Sequence, residues 1–171
     1  MIISISGVGG TGKTSAAKLL AKKLKYKLIE LNKLAKKSKA YIGYDKKRKS
    51  YIVSVYKLKK EVKKLNKKYP NIILDGLIAH EFPSDFVIVL RCKPKVLEKR
   101  LKKKYKWPTK ITENLEAETI NLIGEEAMEY NENVYEIDTT NKTVRQTVKI
   151  IEKILAGKGE KYRAGKIDWL N

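Results

Sequence analysis

The sequence predicts an α/β fold of three layers, with a mostly parallel, five-stranded sheet between two layers of helices. Strand-like runs that are apolar on both faces alternate with helical runs along the 171 residues. This pattern is typical of parallel sheets that helices cover on both sides. A glycine-rich loop between the first strand and the first helix adds a phosphate-binding signature. The length suits one hydrophobic core, so we expect residues 1–171 to form a single domain.

The glycine-rich loop, residues 7–14, reads Gly-Val-Gly-Gly-Thr-Gly-Lys-Thr and matches the complete pattern G-x-x-x-x-G-K-[ST]. Its glycines allow a tight turn and let the backbone approach an oxygen-rich ligand. The exposed N–H groups form an anion-binding nest, Lys13 can reach the outer phosphates, and Thr14 can ligate Mg²⁺. Because a helix follows, the phosphates would lie at its N-terminus. The predicted fold is therefore that of a P-loop NTPase.

The other elements follow from hydrophobic spacing and from turn residues. Pro94 suits the first turn of a helix, Pro70 ends another helix, and Thr112 suits the start of a long one. Residues 41–55 are less regular, with turn character at 42–45 and an extended segment at 50–55. Helices are predicted at 14–25, 34–38, 56–68, 94–105, 112–130 and 143–155, and strands at 1–6, 26–31, 72–76, 86–91 and 134–138.

The charge balance is strongly basic, with 39 Lys and Arg against 19 Asp and Glu and a net charge of +20. One interpretation is a surface that meets RNA or a ribonucleoprotein. The other is the lysine-rich surface of a hyperthermophilic protein with solvated helix faces. No helix-turn-helix, zinc pattern or aromatic-lined nucleic-acid motif stands out, which argues against direct readout of a DNA sequence.

The cellular location is predicted from what the chain lacks and from its one cysteine. No apolar stretch is long enough to span a bilayer, and the chain starts directly with a strand, so we expect neither a membrane segment nor a signal peptide. Cys92 has no partner for an internal disulfide and follows an apolar strand, which indicates a packing role. A reducing, cytoplasmic location is the natural expectation.

Asp75 is the second candidate for phosphate chemistry. It ends the apolar run 72–75 well downstream of the loop, where a Walker B acid belongs. Such an acid holds Mg²⁺ opposite the P-loop hydroxyl, here that of Thr14. The alternative is an aspartate that caps a turn after a strand. The loop makes the metal role the better interpretation, so we expect Mg²⁺ and ATP as ligands.

The class of P-loop protein follows from which further motifs are present. A GTPase usually carries N-K-x-D, and neither 141–144 nor 66–69 has the aspartate. A kinase needs a segment that holds the acceptor and a cationic lid. The insert 30–53 and the basic stretch 102–110 suit these two roles, although a basic stretch by itself is typical of a solvated face.

With these motifs the chain resembles the adenylate kinase isoenzyme six-like family, archaeal and eukaryotic P-loop NTPases of late small-ribosomal-subunit maturation. The P-loop is widely shared, whereas the Arg-Leu lid entry followed by Glu-Asn and Ala-Glu is far more specific. The resemblance covers nearly the whole chain and lies in 7–14, 31–35, 43–45, 75–76, 89–91, 96–101, 112–118 and the tail 162–169.

The resemblance implies a nucleoside monophosphate kinase-like fold and a broad-specificity kinase that transfers the ATP γ-phosphate to AMP or another monophosphate. It also implies an ATPase activity. The partner it implies is the universal eleventh small-subunit ribosomal protein, within a 30S precursor. It divides the chain into a monophosphate-binding insert at about 30–53, a lid at about 103–113 and a C-terminal extension at about 157–171.

The resemblance also implies a set of site residues. Catalytic roles go to Lys13, Asp75, Arg100 and Lys104; ATP contacts to Gly10, Gly12, Lys13, Thr14, Ser15, Lys104 and Lys142; monophosphate contacts to Lys36, Tyr44, Asp45, Arg48 and Arg91; and Mg²⁺ to Thr14 and Asp75. Arg91, Arg100 and Lys104 would stabilise the transferring charge when the lid closes.

The chain departs from the family at three positions. Lys36 and Lys104 stand where arginine is frequent, and lysine lacks the bidentate fork for phosphate oxygens. Leu77 stands where the family tends to carry a histidine two places after the Walker B acid. His80 is the only histidine; it either reaches the site from the next turn or has a structural role.

A second functional hypothesis makes the protein an assembly factor. ATP binding and slow hydrolysis would time the release of a ribosomal partner, and kinase activity would be incidental. An acidic cluster could face a basic ribosomal protein, or could be an ordinary solvated helix face. It comprises Glu113, Glu116, Glu118, Glu125, Glu126 and Glu129.

Overall fold

The computed structural model describes every residue from 1 to 171. Its seven strands are β1 Ile2–Ser6, β2 Lys27–Glu30, β3 Tyr41–Asp45, β4 Ser50–Val53, β5 Ile72–Asp75, β6 Phe86–Arg91 and β7 Val134–Asp138. Its seven helices are α1 Lys13–Leu24, α2 Leu31–Ser38, α3 Val55–Lys68, α4 Pro94–Lys104, α5 Pro108–Thr119, α6 Leu122–Tyr130 and α7 Val144–Leu155. Short 3₁₀ turns occur at Ala79–Glu81 and Glu160–Tyr162.

The main sheet has five strands in the order β2-β5-β1-β6-β7. Each neighbouring pair is parallel, which confirms the predicted α/β fold with a five-stranded parallel sheet. Strand β1 lies at the centre, and the chain moves to opposite sides of it, first to β2 and β5 and later to β6 and β7. Ligands of open α/β sheets bind at the carboxyl edge of such a switch point. The loop that follows β1 therefore lies at that edge.

The core explains why the strands are apolar on both faces. Alternate residues of β5 point to opposite sides, so that Ile73 packs in the layer of α1 and α7 while Ile72 and Leu74 pack with α2 and α3. In the same way, Ile88 of β6 joins the first layer and Val87 packs against α4 and α6. Both faces are thus buried. No helix of the structure has the length and apolar character needed to cross a membrane.

The segment 41–55, expected to be irregular, forms a second small sheet. Strands β3 and β4 pair antiparallel, Tyr44 lies opposite Tyr51, and the register shifts between Tyr41 and Gly43. The turn between these strands contains Lys49 with φ 50° instead of a glycine or asparagine. The usual hairpin signal is therefore absent from the sequence.

The prediction of one long helix at 112–130 is wrong in two respects. It consists of α5 and α6, which are separated at Asn121, where φ is 56° and the helix cannot continue. Its first part begins at Pro108 rather than at Thr112, because proline suits the first helical turn. The side chain of Thr112 instead donates to the Pro108 carbonyl one turn earlier. Asparagine tolerates the left-handed conformation without marking it clearly in the sequence.

The C-terminal residues pack along the edge strand β7. Arg163 forms an isolated antiparallel bridge with Tyr135, and the Ala164 N–H donates to the Val134 carbonyl at 3.1 Å. The Arg163 guanidinium also lies over the Tyr135 ring, 4.7 Å from its centroid. These contacts dock the tail on the body of the protein.

Lys25 is expected to lower stability, because it ends α1 in the left-handed conformation at φ 57°. Glycine adopts that conformation without a Cβ penalty, so Lys25→Gly should raise the free energy of unfolding by about 0.5–1 kcal/mol. Urea unfolding followed by circular dichroism measures the change. Lys22→Gly, within the same helix, is the matched control and should lower stability by about 1 kcal/mol. A loss of stability in both variants would contradict the prediction.

Candidate active site

A cleft of about 660 Å³ opens at the carboxyl edge of β1 and β5. Its floor is formed by P-loop residues and by 75–77, directly after β5. One wall consists of the start of α2 and the hairpin turn 47–50, and the other wall consists of 104–114. Three segments that are distant in sequence therefore meet over the P-loop.

The P-loop geometry requires glycine where the chain turns. Gly7 has φ 132°, and a Cβ there would collide with the Leu90 carbonyl. Gly12 has φ 94° and precedes α1 without any side chain that caps the helix. The first N–H groups of α1 are thus available to an anion, and the helix dipole favours a negative charge at this point.

Lys13 lies at the start of α1 and lines the cleft. Its Nζ donates to the Val8 carbonyl at 2.8 Å within the loop. Burial lowers the pKa of Lys13 to about 8; the nearby Asp75 carboxylate opposes this shift and Lys104 adds to it. A phosphate would favour the charged ammonium and reverse much of this shift.

Asp75 and Thr14 meet on the floor of the cleft. The Thr14 hydroxyl donates to Asp75 Oδ2 at 2.7 Å. The other carboxylate oxygen, Oδ1, is buried and has no hydrogen-bond partner. Burial raises the pKa of Asp75, and the Thr14 hydrogen bond opposes the shift.

This pair fits Mg²⁺. The unpartnered Oδ1 is a hard oxygen donor beside a hydroxyl, in a cleft lined mainly by cations. No group of three or more His, Cys, Asp and Glu side chains is placed to hold a metal ion. Mg²⁺ commonly binds proteins through one or two carboxylates together with substrate phosphates and water.

The two walls touch each other across the mouth of the cleft. Arg48 Nε in the hairpin turn lies 2.9 Å from Glu113 Oε1 on α5. Next to this pair, Lys49 Nζ lies 4.8 Å from the centroid of the Trp107 ring. Deeper in the cleft, Asn114 Oδ1 accepts a hydrogen bond from the Gly9 N–H of the P-loop at 2.7 Å.

The electrostatics of the cleft favour an anion. Seven cationic side chains and three acidic ones line it. The cations are Lys13, Lys33, Lys47, Arg48, Lys49, Lys104 and Lys110, and the acids are Glu30, Asp75 and Glu113.

A smaller cavity of about 260 Å³ lies on the other side of the P-loop. It is lined by five of the residues expected at the site, which are Gly10, Gly12, Ser15, Arg100 and Lys142. The main cleft contains Lys13, Thr14, Arg48, Asp75 and Lys104. The P-loop therefore has two adjoining cavities, and the predicted ATP-binding residues divide between them.

Arg91 does not belong to either cavity, which contradicts its predicted contact with the monophosphate. Its guanidinium is buried and donates to the carboxylates of Glu118 and Glu136, at 2.8 Å in each case. A cation that is enclosed and paired in this way has no path to a substrate. The strand pattern showed that Arg91 ends β6, but not that two carboxylates face it.

Arg100 lies in the small cavity rather than in the main cleft. Its guanidinium donates to the carbonyls of Gly10, Thr139 and Thr140 at 3.0–3.3 Å. These bonds hold it away from the cleft where phosphates would meet Lys13. That Arg100 stabilises charge when the lid closes stays a prediction; in this arrangement its guanidinium lies beside the P-loop residues Gly10 and Gly12.

The remaining monophosphate residues also lie outside both cavities. Lys36 is exposed on α2. Tyr44 packs edge-on against Tyr51, with ring centroids 5.1 Å apart. Asp45 accepts from the Lys47 and Arg48 N–H groups and thereby stabilises the hairpin turn. Its role is to shape the turn that places Arg48 in the cleft.

His80 has a structural environment. It is buried, with Nδ1 3.0 Å from Ser6 Oγ and Nε2 3.1 Å from Glu126 Oε2. It does not line the cleft, whereas Leu77 does and is 48% exposed. Cys92 is buried in the apolar cluster between the sheet and α4 and α6, as expected for a packing residue.

Sequence reasoning missed several residues that line the cleft. Lys33 was not predicted because the helix was expected to begin at residue 34. In the structure α2 begins at Leu31, and Lys33 in its first turn lines the cleft. Asn114 escaped because its role depends on a contact with Gly9 across 105 positions of sequence. Of these two residues, only Lys33 could have been found from the sequence. The apolar residues Leu31 and Ala35, four positions apart, indicate that α2 already includes residue 31.

Fold and site together define a P-loop protein of the small-kinase type. The family model described as AAA domain matches residues 3–121. The chain therefore belongs to this family. A provisionally named adenylate kinase of Methanosarcina acetivorans is 40% identical over 184 residues, covering 100% of this chain and 98% of that protein. One of Methanocaldococcus jannaschii is 39% identical over 170 residues, covering 99% and 93%. The chain belongs with these archaeal proteins.

Solved structures share the fold. A deoxyadenosine kinase from M. mycoides has a TM-score of 0.63 at 18% identity and covers 92% of this chain and 100% of that one. A shikimate kinase from Acinetobacter baumannii has a TM-score of 0.63 at 14% identity, with coverages of 91% and 93%. Their acceptors differ in chemistry, so the shared fold does not select an acceptor.

The depressed pKa of Lys13, about 8, predicts that ATP binding takes up a proton in mildly alkaline solution. The bound phosphates stabilise the ammonium, so its pKa rises on binding, and uptake should occur between about pH 8 and pH 10. Calorimetric titration with Mg·ATP at pH 8.5, in two buffers that differ in ionisation enthalpy, measures the uptake. Lys13→Met is the control and should abolish it. Equal enthalpies in both buffers for the wild type would contradict this assignment.

Proposed function

We propose that this protein is a nucleoside monophosphate kinase that transfers the γ-phosphoryl group of ATP to AMP or another nucleoside monophosphate. The single observation that carries the proposal is the cleft in which Lys13 and the Thr14–Asp75 pair lie between two cationic walls. The names of the archaeal relatives agree with it, since both are provisionally named adenylate kinases. An accompanying ATPase activity is part of the proposal.

The P-loop side of the cleft would hold ATP. Lys13 and the free N–H groups at the start of α1 neutralise the outer phosphates. Thr14 and Asp75 would hold Mg²⁺, which when bound supplies positive charge at the phosphate oxygens. The small cavity beside Ser15 and Lys142 is the place for the rest of the donor nucleotide.

The two walls would hold the acceptor and exclude water. Lys33 and Arg48 face the cleft from the insert, and Lys104 faces it from the lid. Phosphoryl transfer depends mainly on position and charge stabilisation, so a phosphate acceptor needs no strong general base. These cations supply that stabilisation where negative charge accumulates.

Arg48 must exchange Glu113 for a phosphate when the acceptor enters. The side chains of the pair are 60% and 41% exposed. Solvent-exposed pairs of this kind contribute only about 0–1 kcal/mol. The exchange is therefore easy, and the same contact returns after product release.

The test is product analysis with Mg·ATP in the presence and absence of AMP. The wild type should form two ADP for each transfer only when AMP is present, and Lys13→Ala should lose at least about a hundredfold in rate. In the same assay, Arg48→Ala should raise the KM for AMP about tenfold, while Lys36→Ala should change it less than twofold. ADP formation that persists in Lys13→Ala would exclude this site.

A second candidate function is an ATP-switched factor in late 30S maturation, whose kinase activity is incidental. The observation that favours it is a surface on α6 where Glu125 and Glu129 are exposed beside Tyr130, which is 64% exposed. On a protein of net charge +20 this acidic and apolar surface suits a basic protein. The ribosomal protein of the universal eleventh family is the proposed partner, and RNA could contact the basic remainder.

Glu118 does not belong to this acidic surface, because it is buried with Arg91. The test is co-purification with tagged ribosomal protein or 30S precursors, with and without ATP. Glu125→Lys with Glu129→Lys should abolish an ATP-sensitive association, whereas Glu61→Lys on α3 should not. No ATP-sensitive association in the wild type would rule out this function.

A further inference from the structure

The tail residues 163–169, which we call the C-terminal strap, complete a buried ionic cluster. The cluster contains Arg91 on β6, Glu118 on α5 and Glu136 on β7, whose side chains are 1%, 2% and 1% exposed. Arg91 Nε lies 2.8 Å from Glu118 Oε1, and its Nη1 lies 2.8 Å from Glu136 Oε1. One guanidinium thus faces two carboxylates. The excess negative charge requires further donors, because unpaired charge is costly in the interior.

The Cys92 N–H supplies one of those donors, to Glu118 Oε1 at 3.0 Å, and the strap supplies the others. The indole Nε1–H of Trp169 donates to Glu118 Oε1 at 2.8 Å, and the Gly165 N–H donates to Glu136 Oε2 at 3.0 Å. The Ile167 carbonyl accepts from Arg91 Nη1 at 3.4 Å. The Trp169 ring also lies 5.7 Å from the centre of the Arg91 guanidinium. Each charged member of the cluster therefore has at least one partner in the strap.

Glu118 connects this cluster to the cleft. It follows Asn114 by four residues on α5, so the two side chains lie on the same face of the helix, one turn apart. Asn114 accepts from the P-loop Gly9 N–H, and the preceding residue, Glu113, pairs with Arg48 across the mouth. A displacement of Glu118 would move both of these contacts. The position of the lid wall therefore depends on the C-terminal end of α5.

We infer that Trp169 and Glu118 are positioning residues for phosphoryl transfer, because the strap holds α5 where Asn114 contacts the P-loop and the lid covers the cleft. Neither residue touches the cleft, so their effect passes through Asn114. This inference rests on the proposed kinase function. If the strap does not hold α5, the lid wall admits water to the γ-phosphate. Hydrolysis of ATP then competes with phosphoryl transfer.

The decisive measurement is the ratio of phosphate release to AMP phosphorylation with Mg·ATP. Trp169→Phe removes one N–H donor and keeps an aromatic ring. Since a hydrogen bond to a charged group is stronger than one between neutral groups, the ratio should rise at least about fivefold. Leu170→Ala, at the exposed neighbouring position, is the matched control and should leave the ratio unchanged. Partial unfolding would lower both rates together and would not change their ratio.

A double-mutant cycle tests whether the effect passes through Asn114. Asn114→Ala alone should also raise the ratio. Adding Trp169→Phe to it should change the ratio little further, because the same contact is already lost. An unchanged ratio in Trp169→Phe, or effects of the two substitutions that simply multiply, would overturn the inference.

A measurement without nucleotide separates this inference from the proposed function. Hydrogen exchange of residues 108–119 in the ligand-free protein should be faster in Trp169→Phe than in the wild type, and unchanged in Leu170→Ala. Unchanged exchange in Trp169→Phe would overturn the role of the strap even if the protein is a kinase. A second outcome is that the wild type forms no AMP-dependent ADP, while exchange is still faster in Trp169→Phe than in the wild type. That outcome would refute the proposed function and leave the strap as the anchor of α5.

Discussion

The hydrogen bond from Thr14 to Asp75 is the contact around which the rest of the site is arranged. It exists because β1 and β5 pair in parallel, with Ile5 opposite Asp75, so that the loop after one strand and the acid at the end of the other share an edge. The bond uses one carboxylate oxygen and leaves the other buried and unpartnered. Such an arrangement is costly without a cation and suits one, since burial already raises the pKa of the Asp75 carboxyl.

Charge is distributed in two very different ways in this protein. The cations of the cleft are mostly exposed lysines, which remain available to an anionic ligand. Arg91, by contrast, is enclosed by Glu118 and Glu136, and burial raises the pKa of Glu118. The first group is exposed to whatever enters the cleft, whereas the second holds structural elements together. Burial, rather than residue type, decides which of these roles a charged side chain has.

The same contrast between exposed and buried charges distinguishes the two ends of the lid wall. The lid wall is held at its outer end by the exposed Arg48–Glu113 pair and at its inner end by the buried cluster around Glu118. Exposed pairs exchange partners at little cost, while buried ones resist separation. Separating the Arg48–Glu113 pair at the mouth of the cleft therefore costs less than separating α5 from β6, β7 and the strap.

The sequence by itself determined the P-loop, the acid at the end of β5, the parallel sheet and the two segments that flank the cleft. These features are local: the spacing of glycines, the length of apolar runs and the residue at the end of a strand are all visible in a few neighbouring positions. Only the tertiary structure decided that Arg91 is buried, that Arg100 is held by carbonyls, that Lys33 rather than Lys36 faces the cleft, and that the tail reaches Glu118. Each of these depends on which distant segments meet, and a sequence pattern specifies the face on which a residue lies but not what is packed against it.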